Sequence, residues 1–249
     1  MNLLASSINS FYGYGGYGGY RYFDWTYLLV IAGLLLSMVA SANVKGTFNK
    51  YSRVRSMSGL TGAMAAQKVL QLSGIYDVRI EHVSGELTDH YDPRTKTLRL
   101  SDSTYGSNSI AAVCVAAHEC GHAVQHQKNY GPLVLRSTLV PAANFGSTLA
   151  WPVFLAGLIF SMRPLLTAGI VLFSLAVIFQ LVTLPVEFNA SSRALKILES
   201  GHILGDAELA GGKKVLSAAA MTYVASLAAS VLQLLRLIIL AGGRGRDRD

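Results

Sequence analysis

Apolar residues fall in four long blocks separated by polar chain, a pattern that predicts membrane-crossing helices with one soluble lobe set between the first two. The first block, 25–42, carries no charge and is close to the ~20 residues a helix needs to cross a bilayer. Further blocks cover about 139–161, 165–186 and 215–240, the last broken only by Arg236. The second contains Pro141, Asn144 and Pro152, so a kink is expected, and only residues 161–164 separate it from the third; these two form a tight hairpin. The fourth is rich in Ala and Ser, small side chains that let helices approach closely in lipid.

Residues 43–138 are polar enough to build a lobe. Within it, 61–72 reads as a short helix capped by Thr61 and closed at Gly74. Strand patterns follow at 77–83 and 97–100, and Asp92-Pro93-Arg94-Thr95 is a turn signal, so 87–101 is expected to be a hairpin. Asn108 or Ser109 can cap a helix that runs to about Gln127. The expected organisation is a Gly/Tyr-rich tail (1–24), a first transmembrane helix (25–42), the lobe (43–138), a transmembrane hairpin (139–186), a second polar segment (187–214), a fourth transmembrane helix (215–240) and a charged tail (241–249).

Composition agrees with a membrane protein: of 249 residues 51% are hydrophobic and only 14% charged, and the mean hydropathy is +0.39. A net charge of +7 raises nucleic acid as a partner, but the basic residues are dispersed and no nucleic-acid motif accompanies them, so that class is set aside. Topology accounts for the charge instead. Eleven of the 21 Lys and Arg residues fall in 43–138 and four in 187–214, which by the positive-inside rule makes both segments cytoplasmic in a multi-pass protein of the cell membrane. Arg236, Arg244, Arg246 and Arg248 run against that rule, and the last helix is taken to cross despite them. The N-terminal tail lacks the basic start, apolar centre and small-residue exit of a signal peptide. Cys114 and Cys120, six apart on one expected helix, point about 120° from each other and lie about 9 Å apart along its axis, so they cannot bridge.

The chemistry centres on His118-Glu119-Cys120-Gly121-His122. Histidines four apart on a helix share a face and can close on one metal ion, while a glutamate beside them can take a proton from water held in an open position. A third ligand must come from the same side of the membrane. His126 fails on reach, because it lies about 12 Å from His118 along the axis. The longer H-E-x-x-H-x-x-G-x-x-H pattern fails as well, since Gln125 and Lys128 stand where it needs Gly and His. Glu187, at the end of an uncharged apolar run, is the better candidate, because a carboxylate there is costly without a partner. Glu199, Glu208, Asp206 and Asp102 have no comparable reason to converge.

With these blocks in hand the chain resembles the neutral zinc-dependent membrane peptidases of the YugP type. The resemblance rests on Asp89-His90-Tyr91-Asp92-Pro93 with Leu98-Arg99-Leu100-Ser101, on the run from Ala117 to Gln125, and on Leu184-Pro185-Val186-Glu187-Phe188-Asn189-Ala190-Ser191, and it covers about 25–240. It implies a membrane-bound zinc peptidase using one Zn2+, with His118 and His122 as ligands and Glu119 catalytic. A looser similarity to HtpX-type and CAAX-prenyl membrane peptidases, which draw their third ligand from a later helix, supports Glu187 and a gluzincin-like arrangement. In HtpX-type relatives an Asp four residues past that glutamate orients a ligand histidine; here Ser191 occupies the place.

The expected fold is therefore a mainly α integral membrane protein, with about four transmembrane helices and a small α+β, zincin-like lobe. Its expected activity is endopeptidase hydrolysis of protein or peptide substrates at the cytoplasmic face of the lipid bilayer, with Glu119 as general base. Arg193 leads the candidates for stabilising the oxyanion, followed by His126, Tyr91, Tyr105 and His90. Strand 97–101 is expected to pair with extended substrate. The rival reading is a zinc-binding membrane scaffold or chaperone without catalysis; Glu119 argues against it, because a structural site gains nothing from a base. No sequence feature specifies an oligomer.

Overall fold

The computed structural model describes residues 24–243. The Gly/Tyr-rich run and Arg244, Arg246 and Arg248 lie outside them. Seven helices and three strands follow in the order α1 (Tyr27–Tyr51), α2 (Gly62–Leu72), β1 (Arg79–Val83), β2 (His90–Asp92), β3 (Thr97–Ser101), α3 (Asp102–Tyr105), α4 (Ile110–Gln127), α5 (Gly131–Ile159), α6 (Arg163–Ser200) and α7 (Asp206–Gly243). The protein is thus mostly helical with one small mixed sheet, and α1, α5, α6 and α7 are each long and apolar enough to cross a membrane.

Local chemistry accounts for the boundaries. The Thr61 side chain accepts from the Met64 amide at the start of α2, and Gly74, at φ +71°, takes the left-handed conformation just past its end. Ser109, of the two candidates, caps α4 by accepting from the Ala112 amide. α5 runs unbroken through Pro141 and Pro152 and turns into α6 over residues 160–162. Gly146, Gly157 and Gly169 bring these two helices into close contact: a Cβ on Gly146 would meet the Leu172 carbonyl oxygen at 2.5 Å. α1 and α7 run antiparallel, with Gly33 against Ala229 and Tyr51 against Gly211. At the Asp24 end, Arg236 is buried against Asp24, Thr26 and the Tyr27 ring, which gives this in-span charge a local partner.

The sheet order is β1-β3-β2, with β1 parallel and β2 antiparallel to β3. This corrects one expectation. β3 is the central strand, its backbone is paired on both sides, and it has no edge left for a substrate. The edge nearest α4 belongs to β2. β3 is also the most buried strand, and Leu98 and Leu100 pack with Ala116, Ala117 and Cys120 of α4 into one core that includes α2 and Leu198 of α6. Both cysteines are free and buried, as apolar fillers would be.

Candidate metal centre

α4 and α6 cross in close contact, and the site lies at their crossing. A Cβ on Gly121 would fall 2.5 Å from the Ala190 carbonyl oxygen, so glycine is required for this approach. One turn of α4 then presents His118 and His122 to the face of α6 that carries Glu187. His118 Nε2 lies 3.3 Å from Glu187 Oε2, and His122 Nε2 lies 3.6 Å from the same oxygen. The ligand atoms of the three residues all fall within 4.8 Å of one another.

These atoms suit a small tetrahedral cation. Bonds of ~2.0–2.1 Å to a central ion separate neighbouring ligand atoms by about 3.3 Å, close to the two contacts above. Glu187 is only 3% exposed, and its Oε2 has no hydrogen-bond partner, the condition expected of an atom whose partner is an ion. The set of two imidazoles and one carboxylate is a zinc set that leaves a fourth position open.

The surrounding groups engage the Nδ1 atoms of both imidazoles. His122 Nδ1 is 3.1 Å from Gln125 Oε1; an amide oxygen can only accept, so the proton sits on Nδ1 and the Nε2 lone pair faces Glu187. Gln125 is fully buried and is itself fixed by donating to the Val186 carbonyl and to Asn189 Oδ1. His118 Nδ1 meets Ser191 Oγ at 3.0 Å, so Ser191 touches a histidine as an orienting group should.

Glu119 stands beside the pair, mostly enclosed by protein. Loss of water raises its carboxyl above the ordinary carboxylate range, an effect that the His118 and His122 rings oppose and Glu187 and Asp89 reinforce.

The other residues anticipated from sequence have separate partners. Tyr91 and His126 bind each other, hydroxyl to Nδ1, at 2.9 Å. Burial, with the charges of Asp77 and Asp92, pushes the Tyr91 hydroxyl up to about 12, so it remains a donor. Arg193 donates through Nε to Asn189 Oδ1 at 2.6 Å and lies over the Tyr130 ring, and so supports the Gln125 layer. His90 turns to the Thr88 carbonyl, and Tyr105 packs edge-on against His82. Glu208 and Asp102 are occupied by backbone amides of Met57 and Gly205, and of Gly85.

Two residues near the site were not anticipated. Arg136 of α5 places its guanidinium 3.7 Å from Glu187 Oε1, the oxygen turned away from the histidines. Tyr223 of α7 brings its hydroxyl into the field of the Glu187 and Glu119 carboxylates. The available signal was thin: one arginine early in an apolar helix, and one phenol in an Ala/Ser-rich span.

Comparison with known proteins agrees with this chemistry. A family described as "Putative neutral zinc metallopeptidase" matches residues 26–242. The chain is 51% identical over 221 residues to a Bacillus subtilis (strain 168) protein named "Putative membrane protease YugP", covering 89% of this chain and 98% of that one. No solved structure matches.

Proposed function

The chain belongs to the neutral zinc metallopeptidase family, and from that premise we propose that it is a membrane-embedded endopeptidase whose zinc is held by His118, His122 and Glu187. The observation that carries this reading is the buried, unpartnered Glu187 Oε2 facing two Nε2 atoms at 3.3 and 3.6 Å.

Zinc bound there supplies a Lewis acid, which acidifies water and polarises a scissile carbonyl. The rest is done by side chains. Glu119 takes the proton of the attacking water and returns it to the leaving amine. Ser191 and Gln125 keep the Nδ1 protons of the two histidines in place, and Arg136 holds Glu187 Oε1 so that Oε2 stays turned to the histidines. Tyr223, whose hydroxyl lies in the field of Glu187 and Glu119, is the candidate donor for the oxyanion and displaces Arg193 from first place.

The substrate in this reading is an internal stretch of polypeptide in extended form. β2 offers a free backbone edge beside α4. A groove of about 600 Å³ reaches Glu86 and Leu87 before β2, and another of about 630 Å³ reaches Pro93 and Arg94 after it. Open grooves at both ends suit a chain that continues in both directions. The lobe and the site face the cytoplasm, by the excess of basic residues in 43–138 and 187–214.

The test is proteolysis of a casein-type substrate by purified wild type and Glu119→Gln in detergent, with zinc measured in both. The expected result is a loss of ~10²–10⁴-fold with zinc retained. Equal cleavage would refute the general-base role.

A further inference from the structure

A groove of about 370 Å³ lies between α1 and α7, away from the metal centre. Lys50 from α1 and Lys214 from α7 line it, and both side chains are exposed. No carboxylate lines the groove, and among the described residues neither lysine forms an ion pair; Lys50 makes only a cation–π contact with its neighbour Tyr51. Two ammonium groups on one groove without a counter-ion make a site for an anion.

The register of the two helices gives the depth of this site. Gly33 packs on Ala229 and Tyr51 on Gly211, so 18 residues of α1 (51 − 33) run beside 18 of α7 (229 − 211). Lys214 is therefore level with about residue 48 of α1. The charge-free stretch of α1 ends at Val44, just before Lys45. At 1.5 Å per residue, Lys214 and Lys50 stand about 6 and 9 Å beyond that end. The polar zone on each side of a bilayer is about 5–8 Å thick, so both ammonium groups reach it. Below them the lining changes in order: Asn43, Thr47 and Ser217 offer small polar groups, and then comes Met221, 47% exposed. Charge, hydroxyl and amide, and apolar surface succeed one another as do the phosphate, glycerol esters and acyl chains of a lipid.

We propose that this groove binds an anionic phospholipid, with Lys50 and Lys214 on its phosphate. A second groove, between α6 and α7, also carries two lysines, Lys196 and Lys213, but Glu199 lines it too and offsets part of their charge. The α1–α7 groove has no such acid. The bound lipid joins α1 to α7, the helix that carries Tyr223. This binding does not depend on the peptidase reading.

The experiment is native mass spectrometry of the full chain in neutral detergent, titrated separately with phosphatidylglycerol, phosphatidylcholine and inorganic phosphate. The proposal expects phosphatidylglycerol to bind in preference to phosphatidylcholine. It expects the affinity to fall about fivefold for each lysine removed in Lys50→Gln and Lys214→Gln, and to be kept in the Lys50→Arg/Lys214→Arg double variant. Unchanged phosphatidylcholine binding serves as the control for folding. Equal affinity for the two lipids would overturn the proposal, as would full phosphatidylglycerol binding by the double Gln variant. A larger loss in Lys196→Gln/Lys213→Gln would move the site to the other groove and also overturn it. Competition by inorganic phosphate at the lipid's own concentration would reassign the lysines to a soluble anion.

Discussion

Gly121 of α4 faces the carbonyl oxygen of Ala190 in α6 so closely that a methyl group on Gly121 would lie 2.5 Å from it. The obstacle is backbone and cannot rotate away. Gly121→Ala should therefore push the two helices apart exactly where the ligands from each must meet. Overpacking of this kind costs about 1–3 kcal/mol, and zinc affinity should fall along with thermal stability. Wild-type zinc binding in Gly121→Ala would mean that the helices do not hold the ligands together as described.

Arg136 pairs with the oxygen of Glu187 that does not face the histidines. Removing it leaves a buried carboxylate free to turn. Arg136→Ala should weaken zinc binding about 10–100-fold, and Arg136→Lys should restore part of it. Competition with a chromophoric chelator measures both; an Arg136→Ala protein that binds zinc like wild type would remove Arg136 from this role.

Ser191 stands four residues past Glu187, and its Oγ lies 3.0 Å from His118 Nδ1. Ser191→Ala should cost about tenfold in zinc affinity. Ser191→Asp should bind zinc at least as tightly as wild type, since a carboxylate accepts more strongly from Nδ1–H. The same chelator competition would expose an error if the alanine and aspartate variants were indistinguishable.

One ion pair in the lobe gives a pH signature separate from catalysis. The Gly85 amide and the His82 ring hold the Asp102 carboxyl below its ordinary value of about 3.9. A depressed folded-state value gives stability that is present above the unfolded value and is lost as pH falls through the folded one. Asp102→Asn should thus lower the melting temperature slightly at pH 7, and the difference should vanish below the carboxylate range. The pair is exposed, so the effect is small and should shrink with salt.

Features encoded by neighbouring residues could be read from the sequence. The Thr61 cap, the turn after Asp92, the extent of α4 and the four apolar helices depend on side chains within a few positions of one another. Glu187 was reachable because an acid at the end of an apolar run is costly in itself. The order of the sheet was not legible: β1 and β3 pair in parallel across a connection that contains β2, and period-two patterning is the same for a central strand and an edge. Gln125 counted in the sequence as a mismatch to a longer motif and as the end of a matching run, with no role of its own, yet it fixes the tautomer of His122. Arg136 and Tyr223 escaped for a related reason. Each lies on a different membrane helix from Glu187, and nothing local to either marks the contact.

α6 is a single helix of 38 residues, about 57 Å long, which continues through Glu187 to Ser200 without a break. The same rod that leans on α5 in the membrane ends among α2 and α4 in the lobe. Glu187, the proposed metal ligand, stands on it beyond the apolar stretch. A change in the tilt of α6, of the kind that bilayer thickness imposes on long helices, would move Glu187 relative to the two imidazoles. A detached lobe would lose this direct connection between Glu187 and the membrane span.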